Sequence, residues 1–164
     1  MGVSAIERRG DGRAPMSAAI RPATRADLAA LTALDARAYG TAGYGPYVFR
    51  QLFDLWPTAL VVAEAEVGLV GYCAGALGSD GAAWILSLAT DPGARRLGLG
   101  RALSLAAIDA LWALGPRAIR LTVAPGNTAA RALYAALGFT AVHLEADYYG
   151  AGQDRLVLTL RAPA

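Results

Sequence analysis

The chain has 164 residues, 55% hydrophobic and 17% charged, which is enough for one domain with a substantial core and too apolar for a disordered polyelectrolyte. Its 15 basic and 13 acidic residues leave a formal charge of +2, too little to mark nucleic acid or an anionic membrane as a partner. All fifteen basic residues are arginines, which excludes a Walker-type phosphate loop and Schiff-base chemistry, since both need lysine.

The single histidine, His143, excludes the common zinc sites, so no metal is expected. The single cysteine, Cys73, cannot close an internal disulfide and suits a reducing, cytoplasmic compartment. The most apolar long window, residues 58–78, contains Glu64, Glu66 and several glycines, so no membrane span is predicted. The first fifteen residues are polar and lack an apolar h-region, so they are not read as a signal peptide. Residues 1–17 read as a disordered lead and residues 18–164 as a single domain, compatible with a monomer or a homodimer.

In chain order, residues 19–23 form a short strand, and Thr24 is placed to cap a helix over residues 25–39 with Leu28, Leu31 and Leu34 on one face. Three glycines and a proline make residues 40–46 a loop, and residues 47–56 a second short helix that Pro57 closes. Strand-like runs follow at 59–65, 68–77 and 82–90, with connections short enough for an antiparallel meander. A long helix is predicted over 99–114, stopped by Gly115–Pro116, then a strand over 118–124. A helix over 127–137 ends at Gly138, and strands at 140–145 and 155–161 finish the chain. The order β-α-α-β-β-β-α-β-α-β-β describes an α/β fold: one mixed, mostly antiparallel sheet of about seven strands flanked by about four helices.

Between the third meander strand and the long helix lies Arg95-Arg96-Leu97-Gly98-Leu99-Gly100-Arg101. Glycines let a backbone approach a ligand closely, a helix N-terminus offers unpaired N–H groups to phosphate, and the arginines add charge-assisted bonds. The same segment is equally readable as a strand-to-helix turn that binds nothing. A dinucleotide fingerprint is rejected, because Leu103 stands where the third glycine belongs and no acidic residue follows at the needed distance.

With its flanks, this segment resembles the GNAT superfamily of N-acetyltransferases over most of residues 18–161. The superfamily's Arg/Gln-x-x-Gly-x-Gly/Ala signature is matched by residues 95–100. Ile85-Leu86-Ser87-Leu88-Ala89-Thr90-Asp91-Pro92 is similar to its cofactor strand, and Asn127-Thr128-Ala129-Ala130-Arg131-Ala132-Leu133-Tyr134 to its Asn-x-x-Ala-x-x-Leu-Tyr motif. The resemblance implies a GNAT-type fold and acetyl-CoA as cofactor. Its pyrophosphate would rest on the turn formed by Arg95, Arg96, Leu97, Gly98, Leu99, Gly100 and Arg101. Its pantetheine arm would lie along Leu88, Ala89 and Thr90, freed by a bulge or splay after Ser87. Asn127 suits a polar contact to the arm and is also placed to cap the next helix. Tyr134, two helical turns further on, would donate a proton to the departing thiolate, or serve only as a core aromatic.

Within the superfamily the C-terminal part is most similar to the protein N-terminal acetyltransferases, including the ribosomal-protein alanine type. In that group a tyrosine pair, here Tyr148 and Tyr149, flanks the acceptor peptide; adjacent aromatics at a strand end are equally readable as hairpin packing. Tyr44, in the loop of residues 43–47, would meet the acceptor. That group's glutamate base is replaced here by Thr122, which cannot accept a proton at neutral pH. Water near Ser87 or Thr122 would carry the proton outward, with His143, Glu145 and Asp147 as reserve bases. The acceptor is a primary amine, either a peptide N-terminus or a small molecule, attacked directly in a ternary complex. An acyl-CoA-binding sensor without catalysis is the reading from another class.

Overall fold

The computed structural model describes residues 17–162, so the expected lead lies, but for Ser17, outside the described residues. Its sheet contains β1 (Ala19–Pro22), β2 (Leu60–Ala65), β3 (Gly68–Leu77), β4 (Ala83–Thr90), β5 (Ala118–Val123), β6 (Thr140–Glu145) and β7 (Arg155–Arg161), in the spatial order β1-β2-β3-β4-β5-β7-β6. The helices are α1 (Leu28–Tyr39), α2 (Pro46–Leu55), α3 (Leu99–Trp112) and α4 (Thr128–Ala136). All neighbouring strands are antiparallel except β4 and β5. This is the expected mixed sheet, with the β2-β3-β4 meander at its centre.

Boundaries shift where local chemistry decides them. Residues 25–27 form a single 3₁₀ turn before α1, and there Thr24 and Asp27 make a reciprocal capping box. Arg21 reaches from β1 to hold both Asp27 oxygens, at 2.7 and 2.9 Å. Pro46, expected in the loop, is the first residue of α2, where its missing N–H costs nothing.

Both faces of the sheet are covered, which explains the unbroken apolar run Leu60-Val61-Val62-Ala63 in β2. Val61, Ala63, Cys73, Ile85, Ile119 and Leu121 pack with Leu103, Ala107 and Leu111 of α3 and with Tyr134 of α4. Leu60, Val62, Tyr72 and Ala74 pack on the other face with Leu31 and Leu34 of α1 and Phe49 and Leu52 of α2. Burying a side chain of this size contributes roughly 1.5–3 kcal/mol.

Only three residues of β4 pair with β5, from Ala83↔Ile119 to Ile85↔Leu121, although both strands continue. On the opposite edge of β4, Ser87 pairs with Ala74 and Ile85 with Gly75, which leaves Leu86 as an extra residue. The bulge therefore falls at Leu86, before Ser87 rather than after it. The parallel pairing ends at Ile85, and the strands part from there.

Candidate active site

The gap between the parted strands opens into a cavity of about 650 Å³. Ile85, Leu86, Ser87 and Leu88 of β4 form one wall, and Leu121, Thr122, Val123 and Ala124 the other. Asn127, Ala130 and Tyr134 of the α4 region also line it, as do Asp35 and Tyr39 of α1 and Tyr44 of the α1–α2 connection. Tyr149, Gln153 and Arg155 contribute from the β6–β7 hairpin.

Leu88, Ser87, Thr122, Asn127, Tyr134, Tyr44 and Tyr149 are thus brought to one space from separate parts of the chain. Ala89 is buried against the α1–α2 face, and neither it nor Thr90 lines the cavity. Tyr148 lies outside the lining, its ring edge-on to Tyr149 at 4.7 Å between centroids. His143 and Glu145 sit 3.6 Å apart on the exposed edge strand β6, and Asp147 receives the amide of Gly152 in the hairpin turn. None of these three reserve bases lines the cavity.

Arg95 to Gly98 form the turn before α3, with Arg96 at φ 66° and Gly98, the N-cap, at φ 79°. The first backbone bond of α3 runs from the Ala102 amide to the Gly98 carbonyl, so the amides of Leu99, Gly100 and Arg101 have no partner within the helix. Arg95, Arg96 and Arg101 are exposed and make no ion pair among the described residues. A Cβ on Gly100 would lie 3.8 Å from Leu133 Cδ2 and 3.9 Å from Leu88 Cδ2. The turn therefore abuts the cavity wall at Leu88.

Asn127 caps α4, its side-chain oxygen accepting the Ala130 amide at 3.1 Å, and its NH₂ group has no partner among the described residues. The cap is therefore formed, and the donor end of the same amide is left free beside the cavity. Tyr134 is 5% exposed and packs edge-on against Phe139. Burial pushes its hydroxyl far above the ordinary phenol value, so it remains a proton-bearing donor throughout the working pH range. The Ser104 hydroxyl, on α3, is fully buried and has no hydrogen-bond partner among the described residues.

Cys73 is nearer to this site than its sequence position suggests, because β3 places it opposite Leu88. It is nonetheless fully buried, and burial pushes its thiol up to about 12. Burial, rather than distance, keeps it from acting as a covalent acyl carrier.

Sequence reasoning missed Asp35, Tyr39, Tyr72, Gln153 and Arg155. The Tyr72 hydroxyl donates to Asp35 Oδ1 at 2.5 Å and lies 2.8 Å from Ser87 Oγ. A phenol has one proton, so Ser87 is the donor in the second bond. Burial and the adjoining carboxylate push the Tyr72 phenol far upward. Tyr39 donates to the Leu88 carbonyl and Tyr44 to the Leu86 carbonyl, so two tyrosines cap the free edge of β4. The Arg155 guanidinium lies 4.9 Å above the Tyr149 ring. The available signal was Asp35 itself, a carboxylate in register with the apolar stripe of α1.

Among the described residues no group of three His, Cys, Asp or Glu side chains could hold a metal ion, and no helix is long and apolar enough to cross a membrane.

The model of the Acetyltransferase (GNAT) family matches residues 9–139. A mycothiol acetyltransferase of Beutenbergia cavernae is 48% identical over 64 residues, 39% of this chain and 22% of that protein. The [ribosomal protein bS18]-alanine N-acetyltransferase of Escherichia coli is 37% identical over 81 residues, 48% of this chain and 55% of that protein. The chain thus spans about a fifth and about half the length of these two relatives. The crystal structure of the Escherichia coli ribosomal-protein-S18-alanine N-acetyltransferase superposes with a TM-score of 0.73 at 26% identity, covering 88% of this chain and 93% of that one.

Proposed function

The chain belongs to the GNAT acetyltransferase family, and from that premise we propose that it transfers an acetyl group from acetyl-CoA to a primary amine by direct attack in a ternary complex. One observation carries the reading. A splay in β4, a turn with unpaired amides and arginines, and a buried proton-bearing tyrosine adjoin one cavity.

The residues present fit the cofactor. The amides of Leu99, Gly100 and Arg101, with the guanidiniums of Arg95, Arg96 and Arg101, would hold the pyrophosphate. Leu88, on the cavity wall, would offer backbone groups to the pantetheine arm, and Asn127 its free NH₂. Acetyl-CoA, when bound, supplies the activated acyl group as a thioester. Tyr134 stabilises the departing sulfur by donating a hydrogen bond. Its phenol lies far above a thiol value of about 8.5, so full proton transfer is uphill and electrostatic stabilisation is the larger contribution.

For the acceptor, the reading is a peptide N-terminus. Tyr44 and Tyr149 line the cavity from two different loops, which supports an extended segment held between them. The similarity to the ribosomal-protein alanine enzyme supports the same choice. An α-amine, with a pKa of about 8, is neutral in roughly a tenth of molecules at pH 7, whereas a lysine amine near 10.4 is almost wholly charged. Thr122 offers no carboxylate, and an α-amine makes the smaller demand on whichever group takes its proton. The match to a mycothiol acetyltransferase favours, as second reading, a small-molecule amine.

A thiol-release assay with acetyl-CoA tests this against N-terminal peptides and small amines in parallel. Turnover of peptides, rising with pH through about 8, is expected. Turnover of small amines alone replaces the peptide reading with the second one. CoA binding with no turnover of any amine leaves an acyl-CoA sensor.

A further inference from the structure

Asp35 is 3% exposed, and among the described residues no cation lies within ion-pair distance of it. A buried carboxylate without a counter-charge is costly, and such groups concentrate at functional sites. The groups that face it are the phenols of Tyr39 on its own helix, Tyr44 on the next connection and Tyr72 on β3, with Arg95 the cation bearing on Tyr39. A side chain at position 43 would overlap Asp35 Oδ2, so the glycine there leaves the niche that the carboxylate fills. From Oδ1 a continuous hydrogen-bonded line runs through the Tyr72 hydroxyl to Ser87 Oγ, at 2.5 and 2.8 Å. Ser87 stands on the cavity wall, where β4 has left β5.

Resting on the acetyl-transfer reading above, we propose that Ser87, Tyr72 and Asp35 form a proton relay that takes the proton from the acceptor amine, the task Thr122 cannot perform. Every donor already points along the line toward the carboxylate. As the amine nitrogen bonds to the thioester carbonyl carbon, Ser87 Oγ receives one N–H proton and passes its own to Tyr72. Tyr72 passes its own to Asp35 Oδ1. The C–N bond forms and the C–S bond breaks. The sulfur leaves as a thiolate held by Tyr134 and takes a proton from solvent on release, while Asp35 returns its proton to solvent. Charge and protons balance over the cycle. The transfers run along bonds already formed, so hydroxyl rotation resets the line, and Asp35 reaches solvent through the cavity it lines.

Three substitutions test the relay: Asp35→Asn, Tyr72→Phe and Ser87→Ala, the last removing only a hydroxyl at the cavity wall. They are measured with acetyl-CoA and an alanine-initiated peptide, or with the small amine if that is what the parent turns over. Each is expected to lower kcat/KM on the order of 10²–10³-fold with CoA affinity unchanged. The parent's rate should level off once the amine is neutral, whereas the variants' should go on climbing beyond that pH, because hydroxide must then take the proton. The Asp35→Asn/Tyr72→Phe pair should be no slower than Asp35→Asn alone, because members of one unit are not additive. Melting of ligand-free protein gives a readout apart from activity: Asp35→Asn removes an uncompensated charge and should keep or raise Tm.

Variants within threefold of the parent, a parental pH profile, or a double mutant slowed by the product of the single effects would each overturn the relay. So would an Asp35→Asn Tm lowered by more than about 5 °C, which marks a structural carboxylate. Should Asp35→Asn fail to fold, Ser87→Ala with the parental pH profile overturns it alone. A parent that binds CoA but acetylates no amine refutes the acetyl-transfer reading, and the relay with it.

Discussion

Replacing Gly100 by valine separates ligand clash from fold damage, because the surroundings of this glycine are known. Its φ is not positive, and a Cβ there would meet only Leu133 Cδ2 and Leu88 Cδ2, at ordinary van der Waals distance. The ligand-free fold therefore has room for a β-carbon here, and valine's helix propensity exceeds glycine's by roughly 0.3–0.5 kcal/mol. The same side chain would project toward Leu88, on the wall along which the cofactor arm is proposed to run. At CoA concentrations of 100 Kd the parent should gain about 2.7 kcal/mol, or roughly 5–11 °C in Tm for a domain of this size. A 100-fold loss of affinity leaves about 0.4 kcal/mol, roughly 1 °C. Thermal melts with and without CoA should thus show a ligand-free Tm within about 4 °C of the parent and a ligand shift that has nearly vanished. Gly100→Ala, which keeps the Gly/Ala signature, should retain the shift. A valine variant with parental Tm and a parental CoA shift refutes the placement of the cofactor at this turn.

Tyr134→Phe removes one buried hydroxyl and should leave CoA affinity intact while turnover falls on the order of 10²–10³-fold, as stopped assays with saturating acetyl-CoA will show. Tyr149→Phe should raise KM for peptides several-fold without changing CoA affinity, whereas Tyr148→Phe, outside the cavity lining, should change neither constant. Asp27→Asn breaks the cap and the paired bonds from Arg21, and should cost about 1–3 kcal/mol by urea unfolding near pH 7. The Arg21 bonds hold the Asp27 carboxyl well below its usual value, so its contribution is complete above the unfolded value of about 3.9 and is lost as pH falls through the folded one. The gap between parent and variant should therefore close only in strong acid.

Local chemistry made most of the architecture legible. Gly138 ends α4 at φ 90°, Asn127 begins it, and the short connections of β2, β3 and β4 admit only antiparallel neighbours. Tyr134 comes from the resemblance of residues 127–134 to a family motif, and its spacing of two helical turns from Asn127 is consistent with the shared cavity both residues line. The features that escaped depend on contacts between distant segments. Asp35 meets Tyr72 across 37 positions, and nothing in either neighbourhood announces the other. The splay position was off by two residues because it depends on where β5 stops pairing, which strand patterning does not encode. The hairpin residues Gln153 and Arg155 reach the cavity through a loop whose path follows from its turns at Asp147, Gly150 and Gly152.

The seven strands are continuous in name only, since three paired residues join β1 through β4 to the group of β5, β7 and β6. Such a sheet resembles two half-sheets hinged on a short seam, with the cleft lying along the line where backbone bonding ceases. Any molecule bound there replaces missing strand pairing and so becomes part of the scaffold that joins the halves. Amide hydrogen exchange should show this as two cooperative blocks that open separately in the empty protein and merge into one when the cleft is filled. The blocks should divide between Ile85 and Leu121.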